Sequence, residues 1–208
     1  MFEHNEIMVD LETWGRQPDG AIATIGATCF NLKDGVISEF YEIVDITNAV
    51  KHGCTIHPET MKWWLKQSKS ARHELVADGI KLKAALEAFI VWYRQNKGTR
   101  IWSRNILFDI ALLNDAFEKT DLQAPYKYRD VRDVYSLEDL KWPELIATGV
   151  ELIRTAPVVW HNALQDAKSQ TEELLIKLRY LDLLFKNEHC TCFEPAYEND
   201  PTCSVHGG

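Results

Sequence analysis

Hydrophobic positions along the chain fall into two regimes. Up to about residue 44 they come in short, dense runs. Residues 7–11 form an apolar run of the kind a central strand carries. Residues 21–32 (AIATIGATCFNL) are rich in small and β-branched types, and residues 36–44 (VISEFYEIV) roughly alternate. Lys33-Asp34-Gly35 separates the last two as a turn, which predicts a β-hairpin. Beyond it the apolar spacing lengthens to helical periodicity, predicting helices over about 59–75, 82–95 and 106–118. Residues 99–103 read as a buried strand and 128–131 as another before a helix. Ala167, Thr171, Leu174, Leu175, Leu178, Leu181 and Phe185 make one stripe of a long final helix. Three strands followed by alternating helix and strand predict an α/β fold, a mixed sheet covered by helices. The pattern stops near Lys186, so residues 1–185 read as one domain and 186–208 as a tail or small appendage.

Composition narrows the setting. A chain of 208 residues, 46% hydrophobic and 11% aromatic, can bury a real core in one domain. No run approaches the ~20 apolar residues that would cross a bilayer, so no membrane association is expected. Met1-Phe2-Glu3-His4-Asn5-Glu6 lacks both the basic start and the apolar segment of a secretory signal. Five unevenly spread cysteines do not form a secreted disulfide framework. The expected location is cytoplasmic. A net charge of −8 excludes a sequence-independent coat on nucleic acid, which needs broad phosphate neutralisation. It does not exclude an enzyme that holds a polyanion locally, because carboxylate-bound cations invert the field where they sit.

Three acidic groupings carry candidate chemistry. Asp10 and Glu12 lie two apart at the end of the first strand, so their side chains share a face. Two adjacent carboxylates repel unless cations compensate them, and hard oxygen-seeking ions such as Mg²⁺ or Mn²⁺ are the natural partners. On its own the pair is as readily a solvated strand end. Asp109 follows the strand ending at Ser103 and interrupts the apolar run Phe108, Ile110, Leu112, Leu113. Such an acid is costly to bury unless paired or metal-bound, although a helix start also favours it. His161 and Asp166, five apart, would stand about 140° from each other on a regular helix. With Asn162 as helix cap and Gln165 at its third position, His161 falls just outside the helix and Asp166 in its first turn. A ligand beside an imidazole suits a general base that must reach a water. In isolation, a surface histidine and an exposed aspartate would explain the same residues.

In combination the groupings resemble a known family. The acid pair after the first strand, Asn105-x-x-Phe108-Asp109 after the fourth and His161-x4-Asp166 at the last helix are similar to the DEDDh subgroup of DnaQ-like exonucleases. The order and gaps match from about residue 7 to 185. The stretches DLETWG, AIATIGA, WWLKQS and RDVR resemble a phage-type branch of 3'→5' exodeoxyribonucleases and its bacterial exoribonuclease-like relatives. One departure is Trp102-Ser103-Arg104, where many relatives carry Gly-His before the asparagine; it leaves the acids intact and bears on substrate preference. The resemblance implies an RNase H-like, five-stranded mixed sheet, its first three strands antiparallel and the remainder parallel, flanked by helices. It also implies hydrolysis of phosphodiesters by two divalent ions, Mg²⁺ or Mn²⁺. Asp10 would bridge both ions, Glu12 and Asp166 complete the first site, Asp109 support the second, and His161 take the proton from water. The implied partner is nucleic acid with a free 3' end, taken first as single-stranded DNA with RNA as the alternative. A non-catalytic nucleic-acid-binding scaffold is the rival of another class; five retained chemical groups argue against it.

Thr13 and Trp14 follow the acid pair, where the family's residues line the terminal-nucleotide pocket, which makes Trp14 the better candidate for that contact than Trp63; Asn105 precedes Asp109. Met61, Trp64, Leu65, Ser68 and Leu75 would be an inward stripe of the helix over 59–75. Lys62, Lys66, Lys69 and His73 would be a basic row beside Trp63 that guides a single strand, or equally a solvated lysine face. Cys190, Cys192, Cys203 and His206 spell an imperfect zinc pattern, for which free thiols in a tail are the simpler explanation. Cys29 and Cys54 read as small core or loop residues. Self-association is left open.

Overall fold

The apolar run at the start of the chain forms the centre of the sheet. In the computed structural model, which describes residues 4–138 and 161–188, β1 (Glu6–Thr13) pairs antiparallel with β2 (Ile22–Asn31), and β2 with β3 (Gly35–Ile43). The hairpin turns at Gly35, whose φ of +74° favours glycine. On its other side β1 pairs parallel with β4 (Arg100–Ser103), and β4 with β5 (Val131–Asp133). The order β3-β2-β1-β4-β5 is the mixed sheet expected, antiparallel first and parallel after.

Side-chain alternation along β1 separates two cores. Ile7, Val9 and Leu11 point to one face, where α4 (Leu82–Gln95) and α5 (Asp109–Lys119) bury Leu86, Phe89, Leu112 and Leu113 against them. Met8 points to the other, against Phe30, Trp102 and the stripe Ala167, Leu174, Leu175, Leu178 of α7 (Ala163–Glu188). Asp10 and Glu12 continue the Met8 face, so period-2 geometry aims both acids at α7.

Helix α7 presses on the sheet at Gly26, the residue paired with Asp10 across β1 and β2. A β-carbon there would stand 2.1 Å from the Ala163 carbonyl carbon and 2.2 Å from the Leu164 nitrogen. Only glycine lets the start of α7 lie on the strand beside Asp10. Two residues along β2, the hydroxyls of Thr28 and Thr171 share a hydrogen bond.

Three short helices follow β3 along the chain, α1 (Ile46–Lys51), α2 (Pro58–Trp64) and α3 (Lys69–Leu75). The single helix expected over 59–75 is two, because Ser68 accepts from the Ala71 N–H and starts a new helix. The inward stripe changes accordingly. Trp64, Ala71 and Leu75 are buried, whereas Met61 and Leu65 are exposed, Leu65 by 68%. Lys62, Lys66, Lys69 and His73 are all exposed but do not share one helical row. The strand expected over 128–131 is displaced: Tyr128–Asp130 is a 3-10 turn and β5 begins at Val131. Helix α5 starts at Asp109 rather than residue 106, and α6 (Tyr135–Glu138) follows β5. Cys29 and Cys54 are buried free thiols. The tail from residue 189, with Cys190, Cys192, Cys203 and His206, lies outside the described residues, as does the Phe185 side chain. Among the described residues no helix is long and apolar enough to cross a membrane.

Candidate active site

The carboxyl ends of the parallel strands and the start of α7 meet at one point. Asp10 comes from β1 and accepts a 2.7 Å hydrogen bond from the Gln170 amide, one turn beyond Asp166 on α7. Asp109 opens α5, and its Oδ1 accepts from the Leu11 N–H at 3.2 Å, which ties α5 to β1 between the two acids. Asp166 occupies the first turn of α7, where Asn162 Oδ1 caps the Gln165 N–H at 2.9 Å. Glu12, His161 and Asp166 bring ligand atoms to within 4.8 Å of one another. The structure thus places all five candidate catalytic residues together: two strand acids, one helix-start acid, and the H-x4-D pair at the final helix.

Electrostatically the cluster is dominated by its own negative charge. Burial raises the Asp10 carboxyl well above the usual range, and the charges of Asp109, Glu12 and Asp166 add to it. Glu12 is raised likewise, by burial first and then by Asp166, Asp109 and Glu74. Burial pushes Asp109 up to about 7. Asp166 is raised by burial against the opposing pull of His161 and Arg104. Acids held so far from their solution behaviour need either protons or cations. The donor set is almost wholly carboxylate oxygen, the chemistry hard divalent ions require; it fits Mg²⁺ or Mn²⁺.

His161 lies just before the helix, in a left-handed turn with φ of +63°. Its ring stands edge-to-face against Trp63, centroids 4.8 Å apart, and more distantly against Trp64 at 5.9 Å. Trp63 is 42% exposed and faces a cavity of about 490 Å³ beside Glu12. Leu11, Thr13, Thr60, Trp64 and Phe108 also line it, with Arg16 and Glu59 on its wall. Two of the expected substrate residues, Thr13 and Trp63, therefore border the cavity. Trp14 does not: it packs on the core beside Trp64 and Ala23. Asn105 is exposed and accepts the Leu107 N–H at 3.1 Å, holding the turn that presents Asp109.

Four polar residues at the site went unnoticed in the sequence. Gln170, Glu173 and Lys177 extend the Asp166 line of α7 at helical spacing. Glu173 pairs with Lys177 at 3.0 Å and with Arg104 at 2.7 Å, so the departure at Trp102-Ser103-Arg104 supplies an interior ion pair behind Asp166. Glu74 of α3 accepts from both Tyr41 and Asn162. The i, i+4, i+7, i+11 polar line on an otherwise apolar helix was a usable signal for the first three. For Glu74, nothing in the local sequence was.

The family described as the Rv2179c-like 3'-5' exoribonuclease domain matches residues 5–175. The chain belongs to that family. Comparison by sequence with individual characterised proteins finds no match. Among solved structures, E. coli exonuclease I in complex with a dT13 oligonucleotide superposes with a TM-score of 0.61 at 15% identity, over 88% of this chain and 44% of that one. Cell-death related nuclease 4 gives 0.58 at 12% identity, over 86% and 64%. The nuclease domain of 3'hExo, a DEDDh family member bound to rAMP, gives 0.58 at 12% identity, over 85% and 92%. The chain thus spans less than half of exonuclease I and nearly all of the 3'hExo nuclease domain. At these identities the likeness is one of fold, and the fold is that of RNase H-like exonucleases.

Proposed function

We propose that the protein is a metal-dependent 3'→5' exonuclease that releases 5'-mononucleotides from a single-stranded 3' end. The observation that carries this reading is the convergence of Glu12, His161 and Asp166 within 4.8 Å, beside Asp10 and Asp109, at the mouth of an aromatic-walled cavity. Asp10, Glu12, Asp109 and Asp166 would hold the divalent ions, which when bound supply charge neutralisation and Lewis acidity to the attacked phosphate. His161 takes the proton from the attacking water as the new P–O bond forms. The P–O3' bond breaks, and the departing oxygen is protonated from solvent. Trp63 and Phe108 offer faces to the terminal base, and Glu12 and Thr13 offer acceptors to its sugar.

Family membership favours RNA over the DNA expected from the phage-type resemblance, since the matching family is described by exoribonuclease activity. Nothing in the cavity's acceptors forbids deoxyribose, so both sugars belong in one assay. End-labelled RNA and DNA strands of one sequence are incubated with Mg²⁺ or Mn²⁺, with and without chelator, alongside 3'-phosphorylated and circular strands. Stepwise loss of mononucleotides from the free 3' end, faster on RNA and abolished by chelator, is expected. Cleavage of the circle would make the protein an endonuclease, and faster loss from DNA would reverse the sugar assignment. His161→Ala should lose ~10²–10⁴-fold in kcat, the scale of a positioned proton acceptor, while calorimetry still detects metal. Full activity in that variant would remove the histidine from the reaction.

A further inference from the structure

His161 is held in an unusual way. Its φ of +63° lies in the left-handed region, which residues with a β-carbon rarely adopt. Such a conformation persists only where its surroundings enforce it. Two sets of contacts do so. On one side Trp63 and Trp64 present their rings to the imidazole. On the other, the next residue, Asn162, is fixed at both ends of its amide. Its Oδ1 accepts the Gln165 N–H and caps α7, while its Nδ2 donates to Glu74. The same Glu74 oxygen accepts the Tyr41 hydroxyl from β3. Helix α3, which carries Glu74, is seated in turn by Ala71 and Leu75 against Trp64 and Ala23. One carboxylate oxygen therefore joins β3, α3 and the start of α7, one residue away from the imidazole.

A carboxylate here is costly in one respect. Glu74 stands close enough to Glu12 to add to the negative charge of the acid cluster. If Glu74 merely filled space, a neutral side chain would serve better beside four acids. The geometry instead requires an acceptor reaching two donors at once. Asn162 needs an outside acceptor because its own oxygen is taken by the helix cap, leaving its amide N–H groups to be satisfied at an 8%-exposed position.

We propose that Glu74 is a positioning residue for His161: tied to Tyr41, it holds the Asn162 side chain and thereby the left-handed turn that aims the imidazole at Glu12 and Asp166. This rests on the reading of His161 as the general base. The effect of Glu74 is transmitted through Asn162 and involves no contact with substrate.

The test uses the full chain with Mn²⁺ and a labelled 3'-ended strand. Glu74→Ala should lower kcat by ~10- to 100-fold, the cost of misplacing a reacting group by about an ångström. KM should stay near the parent value, and Mn²⁺ affinity by calorimetry should be no weaker. Glu74→Gln keeps an acceptor oxygen for both donors and should recover most of the rate. Asn162→Asp preserves the helix cap, since aspartate caps as well as asparagine, but it loses the donor and should fall like Glu74→Ala. Combining Glu74→Gln with Asn162→Asp exchanges donor and acceptor across the same pair and should restore activity, even if Glu74→Ala folds poorly. In a His161→Ala background, Glu74→Ala should cost nothing further. Parent-like kcat in a folded Glu74→Ala protein, or no recovery in the exchanged pair, overturns the positioning role. Full activity in His161→Ala instead overturns the general-base reading, so the two failures are distinguishable.

Discussion

Replacing Asp109 by asparagine should stabilise the metal-free protein while destroying its activity. The side chain is 4% exposed, and its oxygen accepts the Leu11 N–H, a bond the asparagine carbonyl keeps. Burial holds its carboxyl at about 7, against ~3.9 for an unfolded aspartate. The sign follows directly. An acid with a raised folded pKa binds its proton more tightly in the native state, so stability is highest near pH 4 and falls as pH rises toward 7. The gap corresponds to about 4 kcal/mol at pH 8, and relieving one charge also eases Asp10 and Glu12, which are raised in the same sense. Urea unfolding in chelator should therefore show the parent weakening between pH 4 and pH 7. Asp109→Asn should weaken less and be the more stable protein at pH 8. Adding Mn²⁺ should shift the balance back toward the parent, since each ion at a hundredfold excess over its Kd adds ~2.7 kcal/mol to the protein that binds it. A parent whose chelated stability is flat over that range, or an Asp109→Asn protein no more stable at pH 8, would refute the picture of an acid cluster strained for want of cations.

Trp63→Ala should raise KM without lowering Tm, by the factor that ~1–3 kcal/mol of base stacking implies. Trp14→Ala, which empties part of the core beside Trp64, should lower Tm and leave KM alone; titrating both variants with one labelled strand and melting both separates the two tryptophans. Gly26→Ala should lose activity together with stability, because its methyl group would collide with the Ala163 carbonyl and push the start of α7 off the sheet. Normal turnover in that variant would mean that the helix start can shift without moving Asp166.

Strand order and helix positions were legible where one periodicity ran unbroken. The apolar run of β1, the turn at Lys33-Asp34-Gly35 and the helix of residues 82–95 needed no tertiary information, because each element's burial pattern repeats in its own sequence. The errors share a cause. Over 59–75, Met61, Trp64, Leu65, Ser68 and Leu75 fit a helical stripe by spacing, yet Ser68 is a capping residue and restarts the helix. Capping competes with propagation, and a serine three residues before an amide that needs a partner ends the count. At 128–131 Tyr128 and Val131 favour a strand, but Asp130 returns its carboxylate to the Lys127 N–H and closes a turn first.

The site divides along a similar line. Asp10, Glu12, Asp109, His161 and Asp166 could be picked out because each sits at an element boundary that the chain announces: a strand end, a helix start, a helix cap. Trp14 stands two residues past Glu12, the spacing that would share its face on a strand, but β1 ends at Thr13 and Trp14 packs into the core, while Trp63 of α2 borders the cavity instead. The partners of Gln170, Arg104 and Glu74 could not be read from local spacing, for a deeper reason. Each is an ordinary polar residue whose meaning lies in a partner 69 to 160 positions away. What joins them is the cost of the acid cluster itself. Four carboxylates near one point must be fixed by the protein before any cation arrives, since repulsion would otherwise turn them outward. An amide donor on Asp10, a backbone N–H on Asp109, and an interior Arg–Glu–Lys chain behind Asp166 do that fixing. The same demand makes an acid at Glu74 intelligible. It is tolerated beside Glu12 because two hydrogen bonds hold it, and the turn those bonds secure carries the cluster's imidazole.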